Sequence, residues 1–347
     1  FKVFRPAGQG GGEDMNSAST HKASWWSFEN GNAKCGLCPH ECVISPGSTG
    51  RCRVRKNERS SGLVALNYGL VSSAAVDPIE KKPLYHWRPG SSILSLGTVG
   101  CSMDCPFCQN WQIAEWAPSV SLTEITADTP LTLCKNAGCR SVAFTYNEPF
   151  TWYEFILDAS RILREHGIAV VLVTNGMISP APLADIAPLV SAVNIDLKAF
   201  TPEAYRKLGG DLETVKNTIS SMIRSGVHVE VTFLLVPGIN DEKEAFKRMT
   251  EWMDGLIPQP VLHISRYFPN RRWEKPPTDF RVMEEFAEIA REKLPYVYKG
   301  NTGEESSTVC RNCGKILIRR KEYVILENAI DREGRCTSCG MKSPVIL

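Results

Sequence analysis

The sequence lacks any long apolar run, and it lacks a strong excess of either charge. No apolar stretch approaches the roughly 18 residues that a membrane-spanning helix needs, so a helical membrane protein is not expected. The formal net charge is only +2, which gives no whole-chain argument for a nucleic-acid partner. The first residues run into a glycine-rich stretch and not into the apolar core of a secretory signal, so we expect a cytoplasmic protein.

A second absence concerns the ligands around the central cysteines. Between His86 and Cys134, the only cysteines or histidines are Cys101, Cys105 and Cys108. A structural zinc site has four ligands, and no fourth one lies near this triplet in the sequence. A 4Fe–4S cluster bound by four thiolates carries electrons, whereas a cluster bound by three has one iron open to a second molecule. The triplet therefore predicts a 4Fe–4S cluster with one open iron.

The N-terminal part of the chain carries four more cysteines at metal-ligand spacing. They follow the pattern C-x2-C-x3-C-x9-C, at Cys35, Cys38, Cys42 and Cys52. Zinc and a second 4Fe–4S cluster both remain open for this set, because both accept four thiolates. His40 could replace one thiolate, although we expect it to be a neighbour of the site.

The C-terminal part contains two C-x2-C pairs, each followed directly by a glycine. The pairs are Cys310 with Cys313 and Cys336 with Cys339. This pattern is typical of a zinc ribbon, in which two turns supply four thiolates to one structural zinc ion. Rubredoxin-like iron or a further iron–sulfur cluster is the alternative.

The two remaining cysteines, Cys134 and Cys139, precede a predicted strand, and we expect them to be buried as small apolar side chains. The other eleven fall into sets at metal spacings, which indicates metal binding rather than the disulfides of short secreted proteins. We therefore expect a reducing, anaerobic environment.

The organisation of the chain predicts an α/β protein with small modules at both ends. We expect a flexible tail at 1–30, a four-cysteine module at 31–88, a barrel at 89–305 and a zinc-ribbon-like module at 306–347. The barrel segment alternates apolar strands with amphipathic helices, which is typical of a partial (β/α)6 barrel of the TIM type. The predicted strands are 93–96, 142–146, 168–174, 192–197, 227–236 and 261–266.

Polar residues recur where these predicted strands end. In parallel barrels, function gathers on the loops at the C-terminal ends of the strands. Each polar signal is weak alone, since Asn175-Gly176 also suits a turn, but together they predict a site at one end of the barrel. The signals are the cysteine triplet, Tyr146-Asn147-Glu148, Asn175, Asp196 with Lys198, Asn240-Asp241, and His263 with Arg266.

The cysteine triplet, with Phe107 before its last member, resembles the signature of the radical S-adenosylmethionine (SAM) enzymes. The chain from Cys35 onward is similar to the pyruvate formate-lyase activases and, within that group, to the enzymes of the AmmeMemoRadiSam system. The segments that carry the resemblance are Cys38-Pro-His-Glu-Cys42, Asp77-Pro-Ile-Glu-Lys-Lys-Pro-Leu-Tyr-His86, CSMDCPFCQNW at 101–111, Phe144-Thr-Tyr-Asn-Glu-Pro149, Asn194-Ile-Asp-Leu-Lys198 and Val236-Pro-Gly-Ile-Asn-Asp241.

The resemblance implies roles for residues around the bound SAM. Phe107 would lie near the adenine, and Asn147 and Glu148 would belong to the element that receives the amino group. Asn175 and His263 would lie near the ribose, although a satisfied core histidine is the alternative for His263. Asp196 and Lys198 would lie near the methionine end.

The chain also departs from the activase pattern. Tyr146 and Asn147 stand where the activases have two glycines, so only the role of Glu148 carries over directly. Val173 replaces an aspartate before Thr174, which removes one expected ribose contact. Arg266 could bind a carboxylate or form a structural ion pair.

The resemblance implies an enzyme that cleaves SAM at a 4Fe–4S cluster to a 5′-deoxyadenosyl radical, which abstracts hydrogen from an unidentified substrate. It implies Memo-like partner proteins and an electron donor of flavodoxin or ferredoxin type. The alternative is an activating enzyme that installs a glycyl radical on a partner enzyme. A metal-bound RNA- or protein-binding module would depend on Arg319-Arg320-Lys321, but such short charge runs usually lie on a solvent-exposed face.

Overall fold

The computed structural model describes residues 21–347. The first twenty residues of the predicted flexible tail at 1–30 lie outside the described residues. Two strands lie in the last ten residues of this segment. His21–Lys22 pairs with Val64 and Ala65, and Trp26–Glu29 pairs with Asn32–Cys35. The N-terminal strands are β1 (His21–Lys22), β2 (Trp26–Glu29), β3 (Asn32–Cys35), β4 (Val43–Ile44), β5 (Arg55–Glu58), β6 (Gly62–Ala65) and β7 (Leu70–Val71).

A single eight-stranded sheet forms the body of the protein, in the order β16-β15-β14-β13-β12-β11-β9-β8. All neighbours pair in parallel except β8, which is antiparallel to β9, while β10 pairs outside this sheet with β7. The strands are β8 (Ser73–Pro78), β9 (Ser92–Gly97), β10 (Thr123–Glu124), β11 (Ser141–Phe144), β12 (Ala169–Thr174), β13 (Ala192–Asp196), β14 (His228–Leu235), β15 (Val261–Arg266) and β16 (Val297–Gly300).

Helices follow most of the parallel strands, and the longer ones bury one face each, as the alternating sequence pattern predicts. In α3 the buried residues include Phe155, Ile156 and Ala159, which recur at helical spacing. No helix within residues 21–347 is both long and apolar enough to cross a bilayer. The helices are α1 (Trp111–Glu115), α2 (Thr129–Asn136), α3 (Tyr153–Glu165), α4 (Pro180–Ile186), α5 (Pro202–Lys207), α6 (Leu212–Arg224), α7 (Lys243–Asp254) and α8 (Phe280–Arg291).

The predicted α/β class and the mainly parallel sheet are confirmed, and all six predicted strands are present. The sequence analysis missed the two edge strands, β8 and β16. β8 lies in the segment predicted as an N-terminal module, yet its register with β9 runs from Ser73 opposite Gly97 to Pro78 opposite Ser92. The sheet is therefore wider than six strands, and the domain boundaries stay predictions.

The sheet does not close on itself, because β8 and β16 are both edges. We call the gap between them the seam. The segment after β8 crosses the seam through His86, whose Nε2 lies 2.7 Å from the hydroxyl of Tyr298 on β16. The ring of Tyr85 packs on the same tyrosine, with ring centroids 4.9 Å apart.

A C-terminal sheet of three antiparallel strands packs against the seam. It consists of β17 (Glu305–Val309), β18 (Ile316–Lys321) and β19 (Val324–Asn328). The chain end returns to the seam, where Ile346 N donates to the carbonyl of His86 at 2.8 Å and Arg88 N donates to the carbonyl of Ile346 at 2.7 Å. The C-terminal module thus covers the open side of the barrel.

The prediction that the basic run at 319–321 faces solvent is wrong for Arg320, whose side chain is fully buried. Its guanidinium donates to the Tyr85 carbonyl and to Thr308 Oγ1, both at 3.1 Å, and lies 4.3 Å from the Tyr85 ring centroid. The aromatic face and the carbonyl come from the segment after β8, far away in the sequence. Arg320 therefore attaches the C-terminal module to the seam.

We expect Arg320→Ala to lower the free energy of unfolding by about 2–4 kcal/mol, because it leaves a buried carbonyl and a buried hydroxyl without their charged donor. Arg319→Ala is the matched control, since the neighbouring side chain is 42% exposed. It should change stability by less than about 0.5 kcal/mol. Urea unfolding of the metal-loaded protein measures both, and equal effects would contradict the role of Arg320.

Candidate functional site

The cysteine triplet lies in the loop after β9, at the C-terminal end of the parallel sheet. Cys101, Cys105 and Cys108 line an open cleft of about 750 Å³. This lies within the roughly 300–1,000 Å³ that is typical of a small-molecule pocket, so the cleft is large enough for a bound ligand. Arg271 holds the loop from the far side of the cleft, since its guanidinium donates to the Cys105 carbonyl at 2.6 Å.

Glu148 is the buried carboxylate of the cleft. It begins a short 3-10 turn after β11, and its carboxylate accepts hydrogen bonds from Thr174 Oγ1 at 2.7 Å, Asn175 N at 2.8 Å and Phe150 N at 3.0 Å. Burial raises the pKa of Glu148 to about 7, although these three donors act in the opposite direction. Near neutral pH, Glu148 is therefore partly protonated, and a nearby cation would favour its ionised form.

The side chains of Asn175 and Asn147 support the cysteine loop. Asn175 Nδ2 lies 3.7 Å from Cys101 Sγ and donates to Ser102 Oγ at 3.3 Å. Asn147 accepts from Thr98 N at 3.1 Å and donates to the Gly100 carbonyl at 2.8 Å. Both residues line the cleft, so the structure brings them together with the cysteines.

Asp196 and Lys198 follow β13 and form an ion pair with 3.1 Å between Lys198 Nζ and Asp196 Oδ2. Burial alone would lower the pKa of Lys198, but the Asp196 carboxylate and the Cys105 thiol outweigh it and raise the pKa. The ammonium group therefore stays charged in the cleft. Phe107 lines the same cleft between two of the cysteines and is buried.

His263 lies apart from the residues that line the cleft. Its Nε2 is 2.6 Å from Glu230 Oε2, and both side chains are buried. The same carboxylate accepts from the backbone N–H groups of Tyr85 at 3.0 Å and His86 at 2.7 Å. This is the geometry of a satisfied core histidine, the alternative that the sequence left open.

Arg266 makes structural contacts rather than lining the cleft. Its Nε donates to the Thr278 carbonyl at 2.8 Å, and its guanidinium lies 4.0 Å from the ring centroid of Phe280. From the sequence, Arg266 could bind a carboxylate or form an ion pair. In the structure, its guanidinium contacts a carbonyl and an aromatic face.

The sequence analysis assigned no role to a second ion pair at the cleft, between Asp77 and Lys82, of which Lys82 lines the cleft. Asp77 Oδ2 accepts from Lys82 Nζ at 2.7 Å and from the Tyr146 hydroxyl at 2.9 Å. Asp77 also accepts from Lys81, and these donors lower its pKa despite its burial. The Asp-Pro-Ile-Glu-Lys-Lys segment was the available signal, but it gave no indication that these residues meet Tyr146.

Tyr323 is another cleft residue that sequence reasoning missed. It stands in the turn between β18 and β19 and lines the cleft together with Asn301. The C-terminal module therefore contributes a residue to the lining of the cleft. Contacts across the seam join residues that are distant in the sequence, so a local sequence pattern does not reveal them.

The four C-terminal cysteines form a compact sulfur tetrahedron. Within residues 21–347, they are the only group of three or more ligand-type side chains whose ligand atoms all lie within 4.8 Å of one another. The sulfurs of Cys310 and Cys339, and of Cys313 and Cys336, are 3.7 Å apart. Four Zn–S bonds of about 2.3 Å give tetrahedral edges of about 3.8 Å, so this set fits one zinc ion.

Comparison with known proteins agrees with this site. Residues 95–250 match the family model of the Radical SAM superfamily. The chain is 36% identical over 330 residues to Uncharacterized protein MJ0808 of Methanocaldococcus jannaschii, covering 92% of this chain and 97% of that protein. This chain therefore contains a radical SAM domain. Members of the superfamily use a 4Fe–4S cluster and SAM.

More remote relatives include activating enzymes. Over 180 residues the chain is 23% identical to the pyruvate formate-lyase-activating enzyme of Clostridium pasteurianum, covering 48% of this chain and 75% of that enzyme. Among solved structures, a radical SAM methyltransferase from Sphaerobacter thermophilus is 16% identical, with a TM-score of 0.47, covering 61% of this chain and 66% of that one. Homology to the activating enzymes is thus confirmed, and the AmmeMemoRadiSam assignment stays a prediction.

We expect the full chain to bind about one zinc ion at the C-terminal cysteines. Replacing Cys313 and Cys339 by serine should abolish zinc binding, because two of the four thiolates are lost. Cys139→Ser is the control, since that buried thiol lies outside every metal-spaced set. Elemental analysis after purification with zinc measures the content. Unchanged zinc in the double variant would contradict the assignment.

Proposed function

We propose that the protein reductively cleaves SAM at a 4Fe–4S cluster held by Cys101, Cys105 and Cys108, and directs the resulting 5′-deoxyadenosyl radical at a hydrogen atom of its substrate. The observation that carries this proposal is the meeting of three thiols, a buried carboxylate and a charged lysine in one cleft. A radical SAM domain with this site has the groups that the reaction requires.

The residues present fit a 4Fe–4S cluster better than a single ion. In the described part of the chain, the sulfurs of the triplet are not gathered within 4.8 Å as those of the C-terminal set are. Each thiolate of a cluster binds a different iron, which requires the wider spacing. Asn175 Nδ2 and Met103 N, at 3.7 and 3.4 Å from Cys101 Sγ, offer hydrogen bonds to that sulfur.

The other polar side chains suit a zwitterionic amino acid with a nucleoside. The Glu148 carboxylate would accept from the SAM ammonium group, and Lys198 would face the carboxylate end. Asn175 would approach the ribose, and Phe107 would lie against the adenine. Asn147 positions the loop through Gly100, which is a supporting role.

The substrate occupies the remaining part of the cleft, near Lys82, Tyr146 and Tyr323. Memo-like proteins are the proposed partners, and a flavodoxin or ferredoxin is the proposed electron donor in a cytoplasmic setting. The activase homologues favour a second candidate, in which the hydrogen is taken from a glycine of a partner enzyme. A glycyl-radical signal that forms in a co-purified partner would identify the second candidate.

We expect anaerobically reconstituted, reduced protein to convert SAM to 5′-deoxyadenosine and methionine. Replacing all three triplet cysteines by alanine should abolish this cleavage, because the cluster loses every ligand. Cys134→Ala is the matched control, since this thiol is buried in the same barrel but lies outside the cleft. Chromatographic detection of 5′-deoxyadenosine measures the reaction. Cleavage by the triple variant at the wild-type rate would refute the site.

We expect SAM affinity to increase as pH rises from 6 to 8. The pKa of Glu148 is raised to about 7, so at pH 6 the carboxyl must lose a proton before it can pair with an ammonium group. The dissociation constant should therefore be about tenfold higher at pH 6 than at pH 8. Glu148→Gln should bind more weakly and remove this dependence. Calorimetry under anaerobic conditions tests it, and an unaltered slope in Glu148→Gln would exclude Glu148 as the titrating group.

A further inference from the structure

We propose that Cys35, Cys38, Cys42 and Cys52 hold a second 4Fe–4S cluster, with Arg55 as a hydrogen-bond donor to it. The four cysteines line one small cavity, separate from the cleft. The cluster would carry electrons but could not bind SAM, because four thiolates leave no iron open. This inference does not depend on SAM cleavage.

The local fold brings these four thiols together from three strands and the turns between them. Cys35 ends β3, and its N–H donates to the Cys42 carbonyl at 3.0 Å just before β4. Cys38 lies in the loop between them, and Cys52 lies in the turn before β5. Apolar side chains, among them Leu37, complete the wall, as suits a shielded cofactor.

The distances between the sulfurs distinguish a site for a 4Fe–4S cluster from a site for one zinc ion. The C-terminal set in the same molecule shows the arrangement for one ion, with paired sulfurs 3.7 Å apart. Within residues 21–347, no three sulfurs of the N-terminal set all lie within 4.8 Å of one another, as those of the C-terminal set do. Four thiolates spread around a cavity, instead of a point, match a cluster in which every sulfur binds its own iron.

Arg55 provides independent support, because it is buried and incompletely satisfied. Its guanidinium forms two hydrogen bonds to Glu154, at 2.7 and 2.8 Å, but its Nε has no partner among the described residues. Leaving a buried donor of a charged group unpaired is unfavourable, so a partner for it is expected. Arg55 lines the cysteine cavity, where the sulfur atoms of a cluster would accept this hydrogen bond.

The proposed cluster would lie directly beside the loop of the first. A side-chain carbon at Gly100, the residue before Cys101, would be only 2.7 Å from the Cys52 carbonyl oxygen. His40 Nε2 lies 2.8 Å from the Ser102 carbonyl oxygen on the other side of Cys101. Glu148 and Arg51 line both cavities. An electron carrier at this position is suited to exchange single electrons with the first cluster.

Iron counting of the anaerobically reconstituted full chain tests the proposal. We expect about eight irons in wild type, about four in Cys38→Ala/Cys42→Ala, and about four in the triple alanine variant of Cys101, Cys105 and Cys108. Zinc at the C-terminal cysteines should stay near one ion and report folding. The triple variant decides the matter even if the double variant misfolds.

Two results would overturn the proposal. One is a triple variant that retains no iron, and the other is a wild type with about four irons and two zinc ions. Electron paramagnetic resonance gives a second readout: added SAM should alter the signal from the triplet cluster in wild type and leave the signal of the triple variant unchanged. The triple variant lacks the cluster that would bind SAM. Loss of all iron from this variant would therefore contradict the second cluster without contradicting SAM cleavage by the wild type.

The role of Arg55 has its own test in the triple variant background. Arg55→Lys keeps a cation beside Glu154 but removes the Nε donor. Loss of a hydrogen bond to cluster sulfur should lower the midpoint potential, because such bonds stabilise the reduced state. A redox titration followed by electron paramagnetic resonance measures it. An identical potential in both proteins would exclude Arg55 as a donor to the cluster.

Discussion

The contact between Gly100 and the N-terminal sheets determines where the cysteine loop lies. Gly100 has a φ of +92°, and a side chain there would meet both the Cys52 carbonyl and Val54. Its own carbonyl accepts from Asn147 Nδ2, and its N–H donates to the Ile113 carbonyl at 2.9 Å. One residue without a side chain thus joins the N-terminal cysteines, the barrel and the triplet, and the spacing of the metal-ligand sets depends on it.

Sequence reasoning recovered the parallel strands because each is a run of apolar residues buried on both faces. It recovered the cysteine sets because metal ligands cluster at fixed short spacings. The edge strand β16 was missed since it has only four residues, and β8 was missed since it begins Ser-Ala-Ala and ends in proline. Arg320 was misjudged because its partners come from Tyr85 and Thr308, which no local pattern connects with it.

Tyr146 has a backbone conformation that is rare for a residue with a side chain. Its φ is +75°, a conformation that glycine adopts without strain and that a tyrosine adopts only when the surroundings enforce it. Asn110 Nδ2 donates to its carbonyl at 2.7 Å, and its hydroxyl donates to Asp77. The tyrosine places a bulky polar group in the lining of the cleft.

The seam between β8 and β16 leaves the parallel sheet open on one side. A fully closed barrel keeps its interior dry by its own hydrogen bonds, whereas here the lateral opening is covered by a module that has a small core of its own. The packing of this module on the seam therefore determines how much solvent reaches that side of the barrel. Loosening of the module would change the solvent around Tyr323, and with it the cleft that Tyr323 lines.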